Sequence, residues 1–196
     1  METICLAPCK KNATRLAAHL VFIDESGSLL IPSVRKTWSP VGQTPILLHR
    51  YRHDRISAIS GIAVSPKRFH CILYCQLYED NIQGEEVAVF LRHLLRQVRG
   101  HLIVLLDNGK THRSDPVGEL LARTSRLHLV PFPPYAPELN PDEGVWNHLK
   151  STLANGRPDT QVELMDVLAD EICRLAASQS LLQGCIQQSN LPPFLP

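Results

Sequence analysis

The sequence predicts an α/β fold, a mixed β-sheet with helices packed on its faces. Three observations carry that prediction. Strand-like apolar runs crowd the first part of the chain, whereas from Gly84 onward helical and strand patterns alternate. One later run, His101 to Asp107 (HLIVLLD), is apolar until its last residue, as suits a strand buried on both faces. With 196 residues, 44% hydrophobic and 20% charged, the chain has enough material for one domain with a sizeable core.

Residues 1–18 show no periodicity and are expected to form a lead-in. His19 to Ser28 (HLVFIDESGS) runs apolar into an acidic pair and a glycine turn, a buried strand ending on Asp24, with Leu29 to Ile31 as the second arm of a hairpin. Lys36 to Pro45 (KTWSPVGQTP) is a loop by its prolines and glycine, anchored by Trp38. Arg55 to Val64 and Phe69 to Leu77 read as strands with a turn at Ser65-Pro66-Lys67. Val87, Phe90, Leu91, Leu94, Leu95 and Val98 recur at three- and four-residue steps, which predicts a helix from Gly84 stopped by Gly100. After the strand at 101–107 come a short helix from Arg113 to Thr124, a strand from Leu127 to Phe132, and a proline-rich loop. A helix from Asn140 to about Ala154 and another from Thr160 to about Ala177 follow, and residues 181–196 read as an irregular tail.

Composition narrows the class further. No apolar run approaches the ~18 residues that span a bilayer, and no cleavable leader follows the apolar stretch Leu16–Ile23, so a cytoplasmic protein is expected. A net charge of +1 is low for a stand-alone nucleic-acid binder. The first 100 residues nevertheless carry 13 Lys/Arg against 8 Asp/Glu, and the remainder 7 against 11. Six cysteines are too few for a disulfide scaffold. Cys5/Cys9 and Cys71/Cys75 share a spacing that invites zinc, but the second pair lies on a strand pattern, where both sulfurs would share one face as core filler.

Chemistry concentrates on three acids. Asp24 and Asp107 each close a strand, where functional groups gather in open α/β sheets. Glu143 opens the helix after the proline-rich loop. Three carboxylates meeting at a point repel unless a cation neutralises them, and hard divalent ions with oxygen ligands do so. Each acid also has a structural reading. An Asp after a strand serves turns, and Asn140-Pro141-Asp142-Glu143 fits a capping box with Asn140 as N-cap and Glu143 at N3. Asn108 and His112, close to Asp107, could orient a carboxylate or phosphate.

Four segments occur in a telling order: FIDESG (Phe22–Gly27), TWSPVGQTP (Thr37–Pro45), LLDNGKTHRS (Leu105–Ser114) and PPYAPELNPDEGVWNHLK (Pro133–Lys150). Together, over roughly residues 19–155, they resemble the catalytic domain of bacterial insertion-sequence transposases of the mariner-like superfamily, the DDE endonucleases. The resemblance implies a ribonuclease H-like fold over residues 19–180 and two Mg²⁺ or Mn²⁺ ions. The catalytic and metal-binding acids would be Asp24, Asp107 and Glu143, with Asn108, His112 and Asn140 in support. The 35 residues between Asp107 and Glu143 are close to the family's usual interval. Asp142 fills a position that is often apolar in the family, and Glu25 should point away from Asp24.

The implied reaction is hydrolysis at transposon ends, freeing a 3′-hydroxyl that then attacks target DNA. Arg35, Lys36, Arg50, Arg52 and Arg55 are candidate phosphate contacts. With the first motif at residue 22, no N-terminal helix-turn-helix domain is expected. The partners expected are therefore DNA, a second copy in a homodimer and a separate helix-turn-helix protein, with no membrane. An inactive remnant, or an accessory protein that binds DNA or inhibits a full-length transposase, is the alternative.

Overall fold

The computed structural model describes residues 6–29, 38–43, 55–154 and 160–194. Five strands form one sheet: β1 (His19–Leu29), β2 (Arg55–Val64), β3 (Cys71–Tyr78), β4 (Leu102–Leu106) and β5 (Leu127–Pro131), in the order β3-β2-β1-β4-β5. β1, β2 and β3 pair antiparallel, whereas β4 joins β1 and β5 joins β4 in parallel. The mixed sheet predicted from the sequence is therefore present.

Helices cover both faces. α2 (Gly84–Gln97) presents Val87, Phe90, Leu91 and Leu94 to one face, joined by Val117 of α3 (Asp115–Arg123). α4 (Asp142–Leu153), α5 (Gln161–Ala176) and α6 (Gln179–Gln188) cover the other through Trp146, Leu149, Leu168 and Leu182. Strand periodicity of two sorts β1 between them: Leu20 and Phe22 join the α4–α6 core, Val21 and Ile23 the α2–α3 core. β4 is buried at all five positions, as its unbroken apolar run predicts.

Several expectations are corrected. The lead-in is helical over α1 (Leu6–Arg15), which docks through Ala13. An alanine anchor leaves no large apolar stripe to read, and tertiary packing rather than propensity holds so short a helix. The tail is likewise helical. α6 starts where Ser178 Oγ accepts from Leu181 N at 3.3 Å, and it buries Leu182, Cys185 and Ile186 at helical steps. Gln179 docks its start on the sheet edge, accepting from Cys71 N and donating to Cys71 O.

β1 does not end at Asp24. It runs on to Leu29 against β2, from Glu25↔Ile59 to Leu29↔Arg55, so no hairpin arm begins at Leu29. Leu30 and Ile31 lie outside the described residues. The helix expected from Arg113 is a 3-10 turn at Lys110–Arg113 followed by α3, with Pro116 at its start. Trp38 is fully exposed and anchors nothing among the described residues. Cys71 and Cys75 do share a strand face against the core, and burial pushes their thiols up to about 11 and about 12. No helix among the described residues is long and apolar enough to cross a membrane.

Candidate active site

The sheet sets up the site by its register. β4 pairs with β1 only as far as Phe22↔Leu105, and counting on two residues along each strand arrives at Asp24 and Asp107. Asp24 thus lies where the parallel neighbour stops, although its own strand continues on β2. A cleft of about 440 Å³ opens there, lined by Asp24, Asp107 and Glu143. Across it runs the Phe132–Pro137 loop, in which Tyr135 is fully exposed at φ +58°. The three candidate acids therefore come from β1, the loop after β4, and the first turn of α4, and they face one space.

Their surroundings differ. Asp24 accepts a hydrogen bond on Oδ2 from Trp146 Nε1 at 2.9 Å. Burial pushes its carboxyl up to about 7; the Trp146 bond opposes the shift, and the charges of Glu25 and Glu143 add to it. Asp107 is open to solvent and is fixed through Oδ1, which accepts from Gly109 N at 2.7 Å. A Cβ at Gly109 would stand 2.8 Å from that oxygen, so any larger residue there would push the Asp107 carboxylate out of this position. Glu143 makes no capping box: α4 has no side-chain cap, and Asn140 Oδ1 accepts instead from Asp142 N at 3.2 Å. That frees the Glu143 carboxylate for the cleft.

The supporting residues divide by location. Asn108 lines the cleft and ties its walls, donating to Phe132 O at 2.9 Å and accepting from Arg113 Nη2 at 2.8 Å. Asn140 is buried and donates to Ile23 O at 3.2 Å, holding the start of α4 against β1. His112 is not in the cleft but buried behind Asp107, bonded to Glu25, whose side chain lies on the sheet face away from Asp24 as expected. Burial alone would lower the His112 pKa, but the hydrogen bond and charge of Glu25, then those of Asp107, raise it.

Two residues escape a reading of the sequence. Trp146 follows Glu143 by three positions, a spacing that puts both on one helix face, yet nothing local marks its bond to Asp24. Asp142, expected only as a neighbour, is completely buried, with no hydrogen bond to either carboxylate oxygen. Burial, then the charge of Asp24, hold its carboxyl well above the usual range; the Ser60 hydroxyl opposes the shift, and the charges of Glu25 and Glu143 add to it. Arg35, Lys36, Arg50 and Arg52 lie outside the described residues, and Arg55 begins β2 with its side chain undescribed. No cysteine among the described residues stands with two further side chains at metal-ligand spacing, and Cys5 and the Cys9 side chain lie outside those residues.

The fold matches solved structures. The Mos1 transposase paired-end complex with left transposon end is 19% identical with a TM-score of 0.65, covering 93% of this chain and 55% of that one. The Mos1 strand transfer complex gives the same values. The Mos1 transposase catalytic domain with Raltegravir and Mn is 14% identical with a TM-score of 0.55, covering 97% and 92%. The chain thus spans about half the length of the full Mos1 chains it matches, and it shares the ribonuclease H-like fold. No curated protein matches by sequence. The profile of the DDE superfamily endonucleases matches residues 19–165, which is most of the sequence, and the chain belongs to that family.

Proposed function

We propose that this chain is the catalytic domain of a DNA transposase, cutting phosphodiester bonds at transposon ends and joining the freed ends to target DNA. The observation that carries the reading is the convergence of Asp24, Asp107 and Glu143 from three separate elements on one cleft. Asp24, Asp107 and Glu143 would be the catalytic acids and would hold two Mg²⁺ or Mn²⁺ ions. The donor set suits them, being all carboxylate oxygen; burial lifts Asp24 most, and the repulsion from Glu25 and Glu143 that adds to it is of the kind a cation relieves. Bound there, such ions supply activation of the attacking oxygen and charge neutralisation at the leaving one.

The chain's own residues do the positioning. Trp146 turns Asp24 by its bond to Oδ2, and Asn140 fixes the first turn of α4, from which Glu143 projects. Asn108 ties the loop after β4 to Phe132, where the chain leaves the neighbouring strand β5. Mos1 structures include complexes with Mn and with Mg and a strand transfer complex, which supports divalent metal and DNA for this chain. Arg35, Lys36, Arg50, Arg52 and Arg55 would contact phosphates. A homodimer would bring two ends together, with end recognition supplied by a separate helix-turn-helix protein, at the nucleoid in the cytoplasm.

Thermal melting with and without Mn²⁺ tests the metal reading. Binding to the folded state at a hundredfold excess over Kd stabilises by about 2.7 kcal/mol. The parent should melt higher with Mn²⁺, and Asp24→Asn, Asp107→Asn and Glu143→Gln should each lose most of that rise. Without metal the Asp24→Asn variant should melt no lower than the parent, because its charge repulsion is gone. A full Mn²⁺-dependent rise in all three variants would overturn the assignment.

A further inference from the structure

Behind the cleft, three side chains are joined that the proposed reaction does not account for. His112, 5% exposed, places Nε2 2.7 Å from Glu25 Oε1. Its Nδ1 lies 2.9 Å from Asp107 Oδ1 and 3.1 Å from the Asp107 carbonyl oxygen. Each of these partners is an oxygen that can accept, so the ring is held at both of its nitrogens. We propose that Glu25 and His112 are positioning residues. They form a Glu25–His112–Asp107 clamp that fixes the Asp107 carboxylate so that Oδ2 is offered to a divalent ion in the cleft. The inference rests on the reading of Asp107 as a metal ligand.

The geometry gives the clamp a specific task. Asp107 follows the end of β4 and its side chain is 61% exposed, so packing alone does not choose its rotamer. Oδ1 accepts from Gly109 N and lies 2.9 Å from His112 Nδ1, which is itself bonded to the Asp107 carbonyl oxygen, whereas Oδ2 has no hydrogen-bond partner among the described residues. One oxygen is committed and the other is presented. His112 is itself held at its far end by Glu25, on the strand that carries Asp24. The clamp therefore ties Asp107 to the strand that carries the other candidate ligand, Asp24.

A competing reading would put a cation among Glu25, Asp107 and His112, whose ligand atoms lie within 4.8 Å of one another. Nε2 is already bonded to Glu25 and Nδ1 to the Asp107 carbonyl, and an ion would have to displace one of those bonds. Positioning is the reading that keeps every contact. Residues that orient a ligand from behind commonly change metal affinity about 10- to 100-fold when removed.

Mn²⁺ affinity of the full chain without DNA, measured by electron paramagnetic resonance of the unbound ion, tests the clamp. His112→Ala and Glu25→Leu should each weaken Mn²⁺ binding about 10-fold or more, and the double variant should be no weaker than either alone, because the two act in series. Glu25→Gln keeps the acceptor oxygen and should stay within about threefold of the parent. Parental affinity in His112→Ala overturns the clamp, as do losses that multiply in the double variant. Glu25→Gln as damaging as Glu25→Leu makes Glu25 a direct ligand and also overturns it. Should His112→Ala fail to fold, Glu25→Leu carries the comparison, because it alters a partly exposed side chain. Parental affinity in Asp107→Asn would overturn the metal reading itself, and the clamp with it. A weakened Asp107→Asn beside a parental His112→Ala would remove the clamp alone.

Discussion

Asp142 carries a carboxyl into the core beneath Glu143, where neither oxygen is hydrogen-bonded and burial favours the neutral form. Burying a polar group without a partner costs about 1–3 kcal/mol by protein mutational data. Asp142→Val, close in volume and apolar, should therefore raise stability by about 1 kcal/mol, measured by urea unfolding; a clear loss would mean that the carboxyl has a partner in solution. At this scale the candidate acids are legible because Asp24, Asp107 and Glu143 sit in motifs with their own local grammar. Trp146 is not, since the oxygen it bonds lies 122 residues away in the chain. Alternation along β1 places Glu25 on the correct sheet face, but its bond to His112 depends on how the loop after β4 turns.

Among the elements, α4 and α6 meet at a glycine. A Cβ at Gly144 would lie 2.9 Å from Cys185 Cβ and Sγ and 3.1 Å from its Cα, so the helices approach as closely as they do only without a side chain there. Overpacking of this kind costs about 1–3 kcal/mol. Gly144→Ala should lower the denaturant midpoint accordingly, despite alanine's better helix propensity; an unchanged or higher midpoint would contradict this contact. The long periodic elements, α2 and α5, and the buried strand β4 follow from the sequence because each carries its own pattern of period. α1 and α6 do not, for their anchors are alanines or a few residues among glutamines, and the packing surface that holds them is made by distant strands. The course of β1 beyond Asp24 is hidden for a related reason. Its glycine suggests a turn, whereas pairing with β2 carries the strand through it.

For the molecule as a whole, the sheet order explains why one cleft gathers the chemistry. Placing β4 parallel beside β1 brings two aspartates from distant parts of the chain to one edge of the pairing, and α4 returns across them with Glu143. The order of strands and helices predicts a mixed sheet, but strand order itself is a long-range property that periodicity does not carry. The family resemblance supplies it, and the fold agrees. In the function proposed above, this arrangement cuts DNA through Asp24, Asp107 and Glu143. Nicking of supercoiled plasmid in Mn²⁺ tests it most directly, comparing the parent with Glu143→Gln. Nicked circles are expected with the parent and at least about a hundredfold fewer with the variant, about 2.7 kcal/mol in barrier. A Glu143→Gln protein that nicks as fast as the parent would contradict it.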